Sequence, residues 1–343
     1  MTVIPGRADS AELTDIPEPQ PKDGELLVEP VRLGVCGTDR EILDGDHGEP
    51  PPGHERLVIG HELLGRVKEA GGGFEEGQLV AGIVRRPDPV PCACCARGEW
   101  DMCRNGEYTE RGIKGLDGYG AELVTIEPDF AIPIPDELGE LGVLTEPSSV
   151  LAKAWEQIGR IATRACNVQE RVLVTGAGPI GLLAALMGVQ RGLDVHVYDH
   201  NKGGPKEALT RDLGGSYHSD AESLARISPD VLIECTGVPA VIRDCLGATG
   251  PAGIVCLTGV TEPKKIFELD VGAINRTMVL DNDCVFGTVN ANRRHYEMAA
   301  QALARADKSW LARLITRRVP LDRWSEALEH RKGDIKVIVD FTQ

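Results

Sequence analysis

Arg171-Val-Leu-Val-Thr175 is an apolar run of strand character, and Gly176-Ala-Gly178-Pro-Ile-Gly181 follows it without a gap. An apolar helix is predicted from about Pro179 to Gln190, then a second strand from Asp194 to Tyr198 that ends on Asp199. A glycine triplet alone carries little weight. On a strand-turn-helix-strand unit that finishes on an acid, it marks a dinucleotide-binding fold. Gly176 permits the tight turn, Gly178 lets the backbone approach a pyrophosphate, and Gly181 allows close packing of helix on strand. The helix start, with Pro179 and Ile180, offers unpaired N–H groups and the positive end of the helix dipole to phosphate.

Asp199 speaks to the choice of dinucleotide. A carboxylate at this place hydrogen-bonds the adenosine ribose hydroxyls and repels a 2′-phosphate. His200, Asn201 and Lys202 follow, with no arginine among them. NAD is therefore favoured over NADP. Lys202 and Lys206 are cations that can still attract a phosphate.

Outward from this unit the chain changes texture. Residues 1–150 are rich in Gly, Pro and short strand-like runs: Leu26–Leu33, Gly65–Lys68, Gln78–Val84 and Ala121–Ile126. Such a segment predicts a partly open β-barrel with long functional loops. Pro147–Ala162 has helical spacing. Strands at Asp230–Cys235, Gly253–Gly259 and Cys284–Val289 then alternate with helical stretches, as a doubly wound parallel sheet requires. A helix near Arg293–Ala304 and a last strand, Lys336–Phe341, are expected to return to the first domain. The expected division is 1–150 with 291–343, and 151–290.

At 343 residues the chain has room for two domains, and its 53 acids against 37 bases give a formal charge of −16. That charge argues against nucleic acid or an anionic membrane as partner. No signal peptide and no membrane-length apolar run is visible, so a cytoplasmic location is expected. Ten cysteines in such a chain suggest metal ligation or buried thiols before disulfides. Cys92, Cys94, Cys95 and Cys103 fall in one loop. Cys36 precedes Gly37-Thr38-Asp39, and Gly60-His61-Glu62 and Leu144-Thr-Glu146-Pro147 follow later. Each of Cys36, His61 and Glu146 has an ordinary structural reading when taken singly. Together, thiolate, imidazole and carboxylate form a borderline-soft ligand set suited to zinc with an open position.

Cys-Gly-Thr-Asp, Gly-His-Glu-x-x-Gly, the four-cysteine loop and the later glycine triplet resemble the zinc-dependent medium-chain dehydrogenase/reductase superfamily, across essentially the whole chain. Gly37–Glu41, Glu110–Ile113, Leu144–Pro147, Asn275–Val279 and Gly287–Asn290 resemble its archaeal-type glucose dehydrogenase branch. The resemblance implies an α/β chain: a GroES-like barrel domain with catalytic zinc, plus a Rossmann domain. It implies Cys36 and His61 as zinc ligands, Glu62 and Glu146 as direct or water-mediated ligands, and Thr38 as the hydroxyl that relays the substrate proton. Glu110, Glu146 and Asn290 are implied at the sugar. Thr236, Gly259, Thr288 and Asn290 join the glycine turn and Asp199 at the cofactor. The implied reaction is oxidation of an aldose at C1 to the lactone. A polyol, cyclitol or amino-sugar dehydrogenase is the alternative. A homo-oligomer, dimer or tetramer, is also implied. The cysteine loop departs from the family's pattern, because Cys94 and Cys95 are adjacent; a second, structural zinc on Cys92, Cys94, Cys95 and Cys103 is still expected there.

Overall fold

The computed structural model describes residues 1–166, 168–220, 222, 224–261 and 268–343. They form two compact units, one of residues 1–149 and 290–343, the other of residues 150–289.

The first unit is built on a largely antiparallel sheet of seven strands. Its centre is Leu26–Val35, longer than predicted, flanked by Glu62–Val67 on one side and by Lys336–Asp340 on the other. Leu79–Gly82 and Ala131–Pro133 continue the sheet beyond Glu62–Val67, and Ile315–Pro320 lies outside Lys336–Asp340. Val124–Ile126 pairs with the start of the central strand. Leu26, Val28, Leu33, Leu63, Val67, Val80, Val337 and Val339 fill a core closed by Tyr119 and Trp324. The register matters most at one point. Gly34 lies opposite Glu62 on one neighbour and opposite Ile338 on the other. The strand at 336–340 thus sits inside a sheet whose other strands lie more than 200 residues earlier or, at Ile315–Pro320, directly before it.

The second unit is a six-stranded parallel sheet. Its spatial order is Ser216–His218, Asp194–Tyr198, Arg171–Thr175, Val231–Glu234, Ile254–Leu257, Cys284–Gly287. Numbered along the chain, that is the order 3-2-1-4-5-6 of a doubly wound fold. Its ligand crevice lies beyond the strand ends between the first and fourth strands. Pro179–Val189 is buried almost all round, as an eight-residue buried run from Gly181 to Gly188 shows. That is why its sequence has no polar face. No helix among the described residues is long and apolar enough to cross a membrane.

Candidate active site

In the first unit the chain turns at the end of Leu26–Val35 directly into the short helix Gly37–Asp44. Cys36 is the N-cap of that helix, and the Asp39 carboxylate accepts from the Cys36 backbone N–H at 2.9 Å. This local cap presents the Cys36 thiol to His61, whose Nε2 lies 3.0 Å from Sγ. The other ring nitrogen, Nδ1, lies 3.3 Å from Asp39 Oδ1. Ligand atoms of Cys36, His61 and Glu62 all fall within 4.8 Å of one another. His61 and Glu62 are buried, and Cys36 is half-buried.

Thiolate, imidazole and carboxylate fit a zinc ion, and the Asp39 carboxylate lies against the far nitrogen of His61, the place where outer carboxylates orient ligating histidines. Burial by itself would lower the His61 pKa, but the Cys36 sulfur and the Asp39 carboxylate lift it well above the usual value. Asp39 shows the converse: burial would raise it, yet His61 and the Cys36 N–H hold it below the usual carboxylate range. Glu146, in the first turn of Thr145–Ala162, is pushed up to about 7 by burial and by the charge of Glu62. It is an electrostatic neighbour of this cluster without belonging to the three-ligand group. Thr38, one residue into the helix, is half-buried.

Two residues that the sequence reading passed over complete this region. Asp39 is one, legible only as the acid three residues after an N-cap. Lys336 is the other: its Nζ lies 2.5 Å from Glu62 Oε1 and also touches Oε2, and it donates to the Val35 carbonyl at 3.0 Å. A Cβ at Gly34 would strike the Glu62 carboxylate, so the central strand needs glycine there.

Glu110 and Asn290, both expected at the sugar, are hydrogen-bonded to each other through the Asn290 amide. Glu110 is buried, and Arg85 also holds it, with Nε at 3.1 Å and Nη2 at 3.0 Å from Oε1. Arg85 in turn stacks on the Tyr108 ring at 3.6 Å. Nothing in the isolated sequence marked Arg85 as the partner.

The cysteine loop brings together Cys92, Cys95 and Cys103. Cys94 is not part of that group, which corrects the expected four-cysteine set. Cys94 and Cys95 are consecutive on a tight 3₁₀-like turn, where successive side chains point about 120° apart.

In the second unit, Gly176 has φ +88, and a Cβ at Gly181 would strike the Gly176 carbonyl. A Cβ at Gly178 would meet nothing within 4 Å, which leaves the side before Pro179 and Ile180 open. Asp199 is tied to the turn, accepting from Ala177 N at 2.9 Å. Across the crevice, the Thr236 hydroxyl and N–H both donate to Glu234 Oε1, at 2.5 and 2.7 Å. Glu234 is fully buried and also takes Thr175 Oγ1 at 3.3 Å and Gly237 N at 3.2 Å. Gly259 packs so closely on Gly237 and Glu234 that any side chain would collide. The buried Thr288 hydroxyl finds no hydrogen-bond partner among the described residues. An open glycine cradle, a carboxylate at the second strand and an unpaired hydroxyl at the strand ends fit a dinucleotide.

Residues 139–341 match the family described as Glucose dehydrogenase C-terminus, and residues 22–136 match the Alcohol dehydrogenase GroES-like domain. The chain belongs to the zinc-type medium-chain dehydrogenases, in their glucose dehydrogenase branch. Family members among curated proteins include the glucose 1-dehydrogenase of Methanocella arvoryzae, 39% identical over 98% of both chains. Another is glucose 1-dehydrogenase 2 of Vulcanisaeta moutnovskia, 37% identical over 100% of this chain and 99% of the relative. Among solved structures, Haloferax mediterranei glucose dehydrogenase in complex with NADP, Zn and gluconolactone superposes with a TM-score of 0.92. It is 31% identical, over 100% of this chain and 99% of that one. As a member of this family the chain is an oxidoreductase.

Proposed function

We propose that the chain is a zinc-dependent sugar 1-dehydrogenase that oxidises a glucose-like aldose at C1 to the lactone, with NAD favoured over NADP. The observation that carries the reading is the Cys36–His61–Glu62 group, with Asp39 behind His61, in a chain whose relatives are glucose 1-dehydrogenases. On this reading residues 1–150 and 291–343 form the catalytic zinc-binding domain, and 151–290 the dinucleotide-binding domain.

Cys36 and His61 hold zinc, with Glu62 and Glu146 as direct or water-mediated partners. Zinc, when bound, supplies a Lewis acid that acidifies the sugar hydroxyl. The dinucleotide supplies the hydride acceptor. Asp39 keeps His61 in the tautomer that presents Nε2 to the metal side. Thr38 takes the hydroxyl proton and passes it toward solvent. Lys336 neutralises Glu62, so the group as a whole carries less charge. Glu110 and Asn290, held by Arg85, offer a carboxylate oxygen and an amide to sugar hydroxyls. Gly176, Gly178, Pro179, Ile180 and Gly181 cradle the pyrophosphate, Asp199 meets the adenosine ribose, and Thr236, Gly259, Thr288 and Asn290 shape the remainder of the cofactor site. Cys92, Cys95 and Cys103 hold a second, structural zinc.

The protein is expected to act in the cytoplasm as a dimer or tetramer. Val271, Val279 and Leu280 stand exposed on the helix Val271–Asp281, apolar surface of the kind an interface covers.

The test is turnover of a panel of aldoses, polyols and cyclitols with NAD and with NADP, using zinc-loaded, chelator-treated and Cys36→Ala protein. Zinc-dependent oxidation of an aldose, with release of acid as the lactone hydrolyses, is expected. A ring ketone as the only product would move the reading to the polyol and cyclitol dehydrogenases.

A further inference from the structure

The Asp199 carboxylate is crowded with donors. Oδ1 accepts from Asn201 twice, from its backbone N–H at 3.0 Å and its side-chain amide at 2.7 Å. Oδ2 accepts from Ala177 N at 2.9 Å and from Lys206 Nζ at 3.1 Å. A carboxylate has about four lone-pair sites, and these contacts engage four. Burial would raise this group, but the N–H groups of Asn201 and Ala177, and then the Lys206 ammonium, keep it below the usual range.

The arrangement is held from both sides. The Tyr217 hydroxyl donates to the Asn201 carbonyl at 2.6 Å, and Lys206 stands in the first turn of the helix Pro205–Asp212. Of the two lysines noted after the second strand, Lys206 is the one in contact with Asp199. Its side chain is 22% exposed, against 5% for that of Asp199. An ammonium on a short loop-to-helix tether is thus presented to solvent beside the carboxylate.

This changes what the carboxylate can select. Standing alone, Asp199 would accept from the diol of an unphosphorylated ribose and repel a 2′-phosphate. With an ammonium at 3.1 Å, its charge is offset at the place where the 2′ substituent is read. A ribose diol must displace Asn201 or Lys206 to reach an acceptor site, whereas a phosphate can take a hydrogen bond from Lys206.

We propose that Lys206 is the specificity-setting residue of the adenosine-ribose subsite: its ammonium, held on Asp199, gives a 2′-phosphate a cationic partner, so the site takes NADP as well as NAD. This rests on the reading that the Gly176–Gly181 turn and Asp199 hold the adenosine half of a dinucleotide.

The experiment is fluorescence titration with NADH and NADPH, with AMP and adenosine 2′,5′-bisphosphate as competitors. Wild type, Lys206→Met and Lys206→Arg are compared. Wild type is expected to bind both reduced dinucleotides, NADH the tighter. Lys206→Met should weaken NADPH and the bisphosphate by about tenfold to a hundredfold, the worth of one hydrogen bond to a charged group. NADH and AMP should bind as tightly as to wild type or more tightly, because loss of the ammonium frees an acceptor site on Asp199 for the ribose diol. Lys206→Arg should restore NADPH binding. Equal loss for all four ligands, or no loss for any, overturns the proposal, because the lysine would then be structural or idle. Wild-type protein that binds NADH and not NADPH overturns it while leaving the dinucleotide reading intact. Wild-type protein that binds neither removes both.

Discussion

Lys336 and Glu62 form an ion pair in which each side chain is only 1% exposed, bridged across Gly34 and Val35 of the strand between them. Removing one partner of such a pair leaves a buried charge without compensation. Lys336→Met is therefore expected to cost about 3–5 kcal/mol of stability. The double variant Glu62→Gln/Lys336→Met should recover most of that loss. Denaturant midpoints of the three proteins check both statements; a Lys336→Met protein as stable as wild type would contradict them.

On the proposed function, Asp39 acts on zinc through His61. Asp39→Asn keeps the shape but removes the charge 3.3 Å from His61 Nδ1. Zinc affinity should fall about 10–100-fold, as for other outer-shell partners of ligating histidines. Competition with a chromophoric chelator measures it.

Thr38 is expected to move a proton and to hold neither metal nor cofactor. Thr38→Val should lower kcat by about 10²–10⁴-fold, with zinc content and NADH affinity unchanged, and Thr38→Ser should restore much of the rate. Loss of zinc in Thr38→Val would show that the hydroxyl serves the metal site instead.

The glycines of the nucleotide turn differ in kind. At Gly181 a methyl group meets the Gly176 carbonyl, so Gly181→Ala should cost about 1–3 kcal/mol of stability by overpacking. At Gly178 there is open space, so Gly178→Ala should unfold at the wild-type midpoint and yet bind NADH more weakly. Thermal melts and NADH titration together separate the two.

The cysteine loop gives a pH signature in metal-free protein. The Cys92 thiol is lowered from 9.0 to about 6 by the N–H groups of Cys95 and Arg104, while burial raises Cys95 to about 11. A depressed pKa contributes stability that is present above the usual value and lost as pH falls through about 6. A raised one contributes stability present below the usual value and lost as pH rises through about 11. The loop should be firmest near pH 9, between the two losses. Trypsin cleavage at exposed Arg97, normalised to a peptide substrate, should be slowest there. Thiolate absorbance should show one cysteine ionising near 6.

Local signals carried most of the reading. The glycine turn, the apolar helix behind it and Asp199 lie within one continuous stretch, so spacing alone placed them, and the second strand runs from Asp194 to Tyr198 as read. Strand ends were less legible. Leu26–Val35 extends to the cysteine because Gly34 and Val35 pair with Glu62 and Val337, partners far away in sequence. Lys336 was missed for the same reason: beside Val-Ile-Val it reads as the polar start of an apolar strand, and only the register puts it on Glu62. Arg85 and Glu234 are likewise defined by contacts across strands or turns. Cys94 was over-read, since sequence counts thiols but does not show which way consecutive ones face. Asp39 was within reach, because an acid three residues after an N-cap is a local pattern.

The strand at 336–340 has a consequence for biosynthesis. A ribosome must make every strand of the parallel sheet before it makes the residues that complete the earlier barrel. During that interval Glu62 lies beside an empty lane of the sheet, without its lysine. The parallel-sheet unit can mature while the first unit waits as a partly formed intermediate. A nascent chain cut short before Lys336 would expose a raw sheet edge to chaperones and proteases.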